Sequence, residues 1–287
     1  MKAPPFQYQR MATLDELLSA LATHGDDASI LAGGQSLVPL MNLRMANPQI
    51  LLDINRLTEL SGIRVEGDAL VVGALTRHAE TLRSAEIRTH MPLIAAAMPH
   101  VAHDAVRNRG TFGGSVSLAD PAAELPACCV ALDAIMELRS EAGARSVPAS
   151  AFFRGAYETA RAENEVLVAV RIPLPRSGVQ IFFDELSRRK GDYALTGLAA
   201  TAAVIDGRIA DPTLVYFGIE DRPVRASAAE RVLANTGGAD IAAAEAALDE
   251  DLDPAGDPQT SAAARLQFAR VLLRRALTQW RGGVGDG

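Results

Sequence analysis

Two short segments carry the residue types that could do chemistry here. Ala32-Gly33-Gly34-Gln35-Ser36-Leu37 and Arg109-Gly110-Thr111-Phe112-Gly113-Gly114-Ser115 each set glycines beside a hydroxyl residue. Glycine lets consecutive backbone N–H groups face one concavity and lets an anion approach without a Cβ clash. The Ser or Thr hydroxyl adds a further donor. Two such nests suit a diphosphate. Singly, a Gly-Gly turn is more often only a turn. As a pair, a dinucleotide site of unusual build and two plain turns are equally good readings. The usual nucleotide signatures are absent: there is no Walker loop and no G-x-G-x-x-G between a strand and a helix. A G-x-S-x-G nucleophile elbow is absent too.

Other constellations have plainer readings. His100 and His103 stand beside Asp104. They form a metal pair only if a third or fourth ligand comes from elsewhere; otherwise they are polar groups at a helix end. Asp120 and Glu124 are four apart and could share acid–base work. Acids at a helix N-terminus, favoured by the macrodipole, are the better account of the pair taken alone. Cys128 and Cys129 are adjacent in an apolar stretch. On a helix they point about 100° apart, which suits buried thiols better than a disulfide or a shared metal.

Several elements must position these residues. Thr13-Leu14-Asp15-Glu16 is a capping box, and Leu14, Leu17, Leu18 and Leu21 continue as an amphipathic helix. Strands are expected at Ser29–Ala32 and Ile50–Ile54, and a hairpin at 63–72 turns on Gly67-Asp68. Helical stretches are expected from about Thr76, over Pro92–Val101 and over Pro121–Leu132, with 109–115 between them as a Gly-rich turn. Strands are expected at Ala134–Leu138 and Val166–Ile172. The Pro/Ser/Gly stretch Pro173–Gly178 is the best boundary. Beyond it, 180–187, 199–205 and 213–219 read as extended, and 226–234, 241–249 and 261–280 as helical. Mixed elements followed by strands and then helices predict an α+β fold.

The chain has 287 residues, 48% hydrophobic and 22% charged, enough for one large domain or two smaller ones. Its 28 Lys+Arg against 35 Asp+Glu give −7, without the basic field that nucleic-acid binding requires. No apolar run reaches the roughly 18 residues of a membrane span, and the first residues lack a signal-peptide core. A soluble cytoplasmic protein is expected. The two cysteines cannot ligate an iron–sulfur cluster, which takes about four.

In three segments the chain resembles the FAD-binding medium subunit of molybdenum hydroxylases, the carbon monoxide dehydrogenase medium-chain and xanthine dehydrogenase flavin-domain family. These are 32–44 (AGGQSLVPLMNLR), 106–126 (VRNRGTFGGSVSLADPAAELP) and 187–194 (SRRKGDYA), in family order over nearly the whole chain. The resemblance implies a two-lobed FAD domain of the vanillyl-alcohol-oxidase type over 1–176, its lobes about 1–58 and 59–176. A domain of a three-stranded sheet and helices would span 177–281, and 282–287 would be a flexible tail. It implies that Ala32, Gly33, Gly34, Gln35, Ser36 and Leu37 hold the FAD pyrophosphate together with Thr111, Phe112, Gly113, Gly114 and Ser115. Glu124 would meet the cofactor's polar chain, Leu167 would lie against the flavin, and Tyr193 would lie near the isoalloxazine. One family pattern carries a Lys just after the aromatic pair that here is Phe182-Phe183. This chain has Asp184-Glu185 there, leaving Lys190 as the candidate cation.

The resemblance further implies an electron-transferring oxidoreductase subunit with no catalytic acid or base and no metal of its own. Molybdopterin would sit on a large partner and [2Fe–2S] clusters on a small one, in a heterotrimer or its dimer. The sequence also allows a standalone flavoprotein oxidase or reductase, for which His78 and Tyr193 are the candidate proton carriers, and a flavin-less scaffold subunit.

Overall fold

The structure is a computed structural model and describes residues 2–189, 191–258 and 260–282. Statements about absence below refer to those residues. The first lobe contains β1 (Gln7–Arg10), α1 (Leu14–His24), β2 (Ala28–Leu31), α2 (Leu37–Asn42) and β3 (Ile50–Asp53). β3 lies between β1 and β2 and is parallel to both. It is buried along its whole length, which is why its sequence is an apolar run ending in a single Asp. Thr13 caps α1, its Oγ1 accepting from the Glu16 N–H at 3.1 Å, and the Glu16 carboxylate reaches back to the Ala12 N–H at 2.7 Å. Leu17, Leu18 and Leu21 of α1 share a core with Ile50 and Leu52.

The second lobe opens with β4 (Ile63–Glu66) and β5 (Ala69–Gly73), the hairpin expected at Gly67-Asp68. It continues with α3 (His78–Arg83), α4 (Ala85–His90), α5 (Pro92–Ala97), α6 (Asp104–Arg107), α7 (Phe112–Leu118) and α8 (Glu124–Ala131). Then come β6 (Ile135–Ser140), β7 (Gly143–Pro148), α9 (Ala149–Phe152), β8 (Phe153–Gly155), β9 (Glu158–Thr159) and β10 (Val166–Pro173). The strand order is β4-β5-β10-β6-β7, so the last strand of the lobe completes the middle of its sheet. The helix expected from Pro121 starts at Glu124 instead. Asp120 Oδ1 takes the Ala122 N–H at 3.0 Å, a turn that competes with the helix.

After Pro173–Gly178 come β11 (Val179–Leu186), β12 (Thr196–Ile205), β13 (Arg208–Phe217) and β14 (Val224–Arg225), then α10 (Ser227–Thr236), α11 (Ile241–Asp251) and α12 (Ala262–Gly282). The expected three-stranded sheet is therefore three long antiparallel strands with the two-residue β14 added at one edge. α12 includes Gly282; positions 283–287 of the expected tail lie outside the described residues. α8 packs on β12 and β13, and Ala199, Val215 and Phe217 join the core of the second lobe. No helix is long and apolar enough to cross a membrane.

Candidate functional site

The first Gly segment links the end of β2 to the start of α2. Val38 N–H donates to the Gly34 carbonyl at 3.2 Å and Leu40 N–H to Ser36 at 3.0 Å. Gln35 Nε2 folds back onto the Gly33 carbonyl at 3.1 Å. The N–H groups of Gly33, Gly34, Gln35, Ser36 and Leu37 meet no protein acceptor among the described residues. Five consecutive free donors running into a helix start form a ready anion site.

The second segment differs from the expected Gly-rich turn. Thr111 is the N-cap of α7, and its Oγ1 accepts from the Gly114 N–H at 3.1 Å. Phe112 N–H goes to Thr76 at 2.9 Å, Gly113 N–H to Ala74 at 2.9 Å and Ser115 N–H to the Thr111 carbonyl at 3.1 Å. These donors are spent inside the protein. A threonine three residues before a glycine N–H is a helix cap, and the glycines let α7 begin tight against the end of β5. The expected pair of backbone nests is thus one open nest and one capped helix. Gly114 remains exposed and Ser115 half-buried, so the Ser115 hydroxyl is what this segment can still offer a ligand.

The two segments touch. A Cβ on Gly33 would lie 2.3 Å from the Arg109 carbonyl oxygen and 2.9 Å from the Gly110 Cα, a space only glycine fits. Open donors of the first segment therefore stand directly beside the second. The corner supplies N–H and hydroxyl donors with no carboxylate among them, which suits a diphosphate. The residues present fit the FAD that the resemblance implies.

The remaining expected site residues come from outside both segments. Glu124 is the first residue of α8, and burial pushes its carboxyl up to about 7, with Glu185 and Asp120 adding to the shift. Glu185 on β11 faces it electrostatically and pairs with His100 Nδ1 at 3.4 Å. Hydrogen bonding to Glu185 raises the His100 pKa. The pair accounts for His100, and no group of three potential ligands gathers round it or His103 among the described residues. Leu167 is buried in β10 within the core of the second lobe. Tyr193 is 74% exposed, at an open cleft of about 1020 Å³ lined also by Asp120, Tyr157, Arg188 and Arg265. Lys190 lies outside the described residues.

His78 is buried, its Nε2 2.8 Å from the Thr111 carbonyl. Burial pushes its pKa down to about 4, so it is a neutral ring holding the second segment. Asp120 accepts from the Tyr157 hydroxyl at 3.3 Å. Cys128 and Cys129 are fully buried in α8, and burial pushes both thiols up. Sequence reasoning missed Asn55 and Arg77, which reach the backbone on both sides of the corner. For Asn55 the signal was Asp53, a carboxylate ending an apolar strand; Arg77 had none.

Residues 4–175 match the model of the FAD binding domain in molybdopterin dehydrogenase, and residues 181–280 match that of the CO dehydrogenase flavoprotein C-terminal domain. This chain belongs to the flavoprotein family of the molybdopterin dehydrogenases. It is thus a flavin component of an oxidoreductase, with its FAD-binding domain first. The 6-hydroxypseudooxynicotine dehydrogenase complex subunit alpha of Paenarthrobacter nicotinovorans is 39% identical over 282 residues, 97% of this chain and 95% of its own length. The carbon monoxide dehydrogenase medium chain of Hydrogenophaga pseudoflava is 36% identical, over 96% of this chain and 97% of its own. Among solved structures, a chain of quinoline 2-oxidoreductase from Pseudomonas putida 86 superposes on this flavoprotein with a TM-score of 0.93 at 37% identity, covering 100% of both chains.

Proposed function

We propose that this chain is the flavin-carrying electron-transfer subunit of a three-component molybdenum hydroxylase. A large partner would hold molybdopterin and oxidise the substrate, and a small partner would hold the [2Fe–2S] clusters. This chain would take their electrons and pass them to an external acceptor, in a heterotrimer or its dimer. The observation that carries the proposal is the row of free N–H groups from Gly33 to Leu37, held against the Arg109–Gly110 backbone. Such a row binds phosphate oxygens without a cation.

Bound FAD supplies the exchange between one-electron and two-electron carriers. The chain's own residues bind and orient it. Ala32 to Leu37 would hold the diphosphate, with Ser115 adding its hydroxyl and Thr111, Phe112, Gly113 and Gly114 shaping the wall. Glu124, which keeps its proton to about neutral pH, would donate to the cofactor's polar chain. Leu167 and Tyr193 would flank the ring, and Lys190 would stand as the nearby cation. The FAD-binding unit would span 1–176 and the second unit 177–281.

With only Cys128 and Cys129, adjacent and buried, this chain has too few thiolates for a cluster, so electrons must arrive across an interface. Relatives named for carbon monoxide and for 6-hydroxypseudooxynicotine match from end to end. That breadth fits a subunit that does not select the substrate. Purification of the tagged chain from its own cells tests the proposal. The expected result is one FAD per chain, with a molybdenum-bearing and an iron-bearing chain in equal amount. A solitary flavoprotein that turns over substrate would contradict it.

A further inference from the structure

A line of hydrogen bonds runs behind the two Gly segments and ends on the carbonyl that precedes each one. It starts at the surface, where Arg10 Nε donates to the Tyr8 hydroxyl at 3.1 Å and Tyr8 donates to Asp53 Oδ2. Asp53 Oδ1 accepts from the Asn55 N–H at 2.9 Å and from Asn55 Nδ2 at 2.7 Å. The same Nδ2 donates to the Ala32 carbonyl at 2.9 Å. Asn55 Oδ1 accepts from Arg77 Nη2 at 2.6 Å, and Arg77 Nη1 donates to the Arg109 carbonyl. Ala32 precedes Gly33, and Arg109 precedes Gly110.

The chemistry of each group suits its place. The amide of Asn55 must turn its oxygen to Arg77, which has donors only, and its nitrogen to the carbonyl and carboxylate. The guanidinium is a rigid planar fork, so its two nitrogens fix the spacing of the groups they bind. Asn55 follows the last strand of the first lobe, while Arg77 stands at the N-cap position of α3 in the second. One amide and one guanidinium therefore tie the lobes together at the corner where Gly33 meets Arg109.

We propose that Asn55 and Arg77 are positioning residues for the flavin diphosphate: a clasp that sets the separation of the two Gly segments before FAD arrives. The inference rests on the FAD reading above and adds residues that lie outside both segments. Pre-organisation of this kind raises affinity by removing the ordering cost from the binding step. The guanidinium acts here through geometry, so retaining its charge alone would not retain its effect.

The test is FAD titration of flavin-stripped chain, followed by flavin fluorescence, with the thermal midpoint of each stripped variant measured alongside. Arg77→Met and Asn55→Ala should each raise the FAD Kd about tenfold or more, the loss expected for hydrogen bonds involving a charged group. Arg77→Lys keeps the charge but cannot span both acceptors, so it should recover only part of the affinity. The double variant should bind about as weakly as Arg77→Met, because the two residues act as one tie. Wild-type affinity in Arg77→Lys, additive losses in the double variant, or lowered midpoints with unchanged Kd would each overturn the clasp. If Arg77→Met does not fold, Arg77→Lys and Asn55→Ala decide. Gly33→Ala separates the two levels. If it weakens FAD binding while the clasp variants bind normally, the clasp alone fails. If wild type takes up no FAD, the cofactor reading fails.

Discussion

Gly33 is pressed so closely on the carbonyl of Arg109 that even one added methyl group would overlap it, the Cβ falling 2.3 Å from the oxygen. The neighbour is backbone and cannot rotate away. Gly33→Ala should therefore push the segments apart and raise the FAD Kd at least tenfold, at a stability cost of about 1–3 kcal/mol. FAD retained per chain after gel filtration, read from absorbance, checks the first effect. A thermal midpoint checks the second.

Thr111 and Gly114 form the cap of α7. Thr111→Val keeps the shape but loses the acceptor for the Gly114 N–H. It should cost about 1 kcal/mol, while Thr111→Ser should cost far less. In Gly114→Val the new Cβ would meet Thr111 Oγ1 at 2.6 Å, so that variant should lose the cap along with flavin. Denaturant midpoints of the three stripped variants give the ranking.

Glu124 makes stability depend on pH. Its folded pKa of about 7 lies above the ordinary value of 4.5, so the folded chain holds a proton there that the unfolded chain releases. Its contribution to stability is therefore lost as pH rises from about 4.5 to about 7. Glu124→Gln removes this slope. Flavin-stripped Glu124→Gln should gain stability relative to wild type between pH 5 and about 8. Parallel curves for the two proteins would show that Glu124 is not the responsible group.

Tyr193 is exposed beside its cleft and makes little contact with the core. Tyr193→Ala should change stability by no more than about 0.5 kcal/mol. It should nevertheless weaken flavin binding or shift the flavin's reduction potential, through loss of a stacking partner. Unchanged affinity, potential and spectrum would put Tyr193 outside the site.

Much of this architecture is legible in the sequence because its signals are local. The capping box at Thr13, the hairpin at Gly67-Asp68 and the apolar strand ending at Asp53 all stand where their residues direct. The second Gly segment is not a nest, because the Phe112 and Gly113 N–H groups that a nest would leave free are taken by the carbonyls of Thr76 and Ala74. Those partners lie more than thirty residues away. The line from Tyr8 to Arg77 is non-local for the same reason: Tyr8 and Asp53 are 45 positions apart, and Asn55 and Arg77 are 22. His100 gave no hint of its partner because Glu185 comes from beyond the Pro173–Gly178 boundary.

The relay role is tested most directly by flavin bleaching under anaerobic conditions after adding the substrate that the complex oxidises. The chain loaded with FAD is measured alone and again with its molybdenum-bearing and cluster-bearing partners. The expected result is no rapid bleaching alone and rapid bleaching when both partners are present. Rapid bleaching by the isolated chain would contradict the relay role and make this protein a flavoenzyme in its own right.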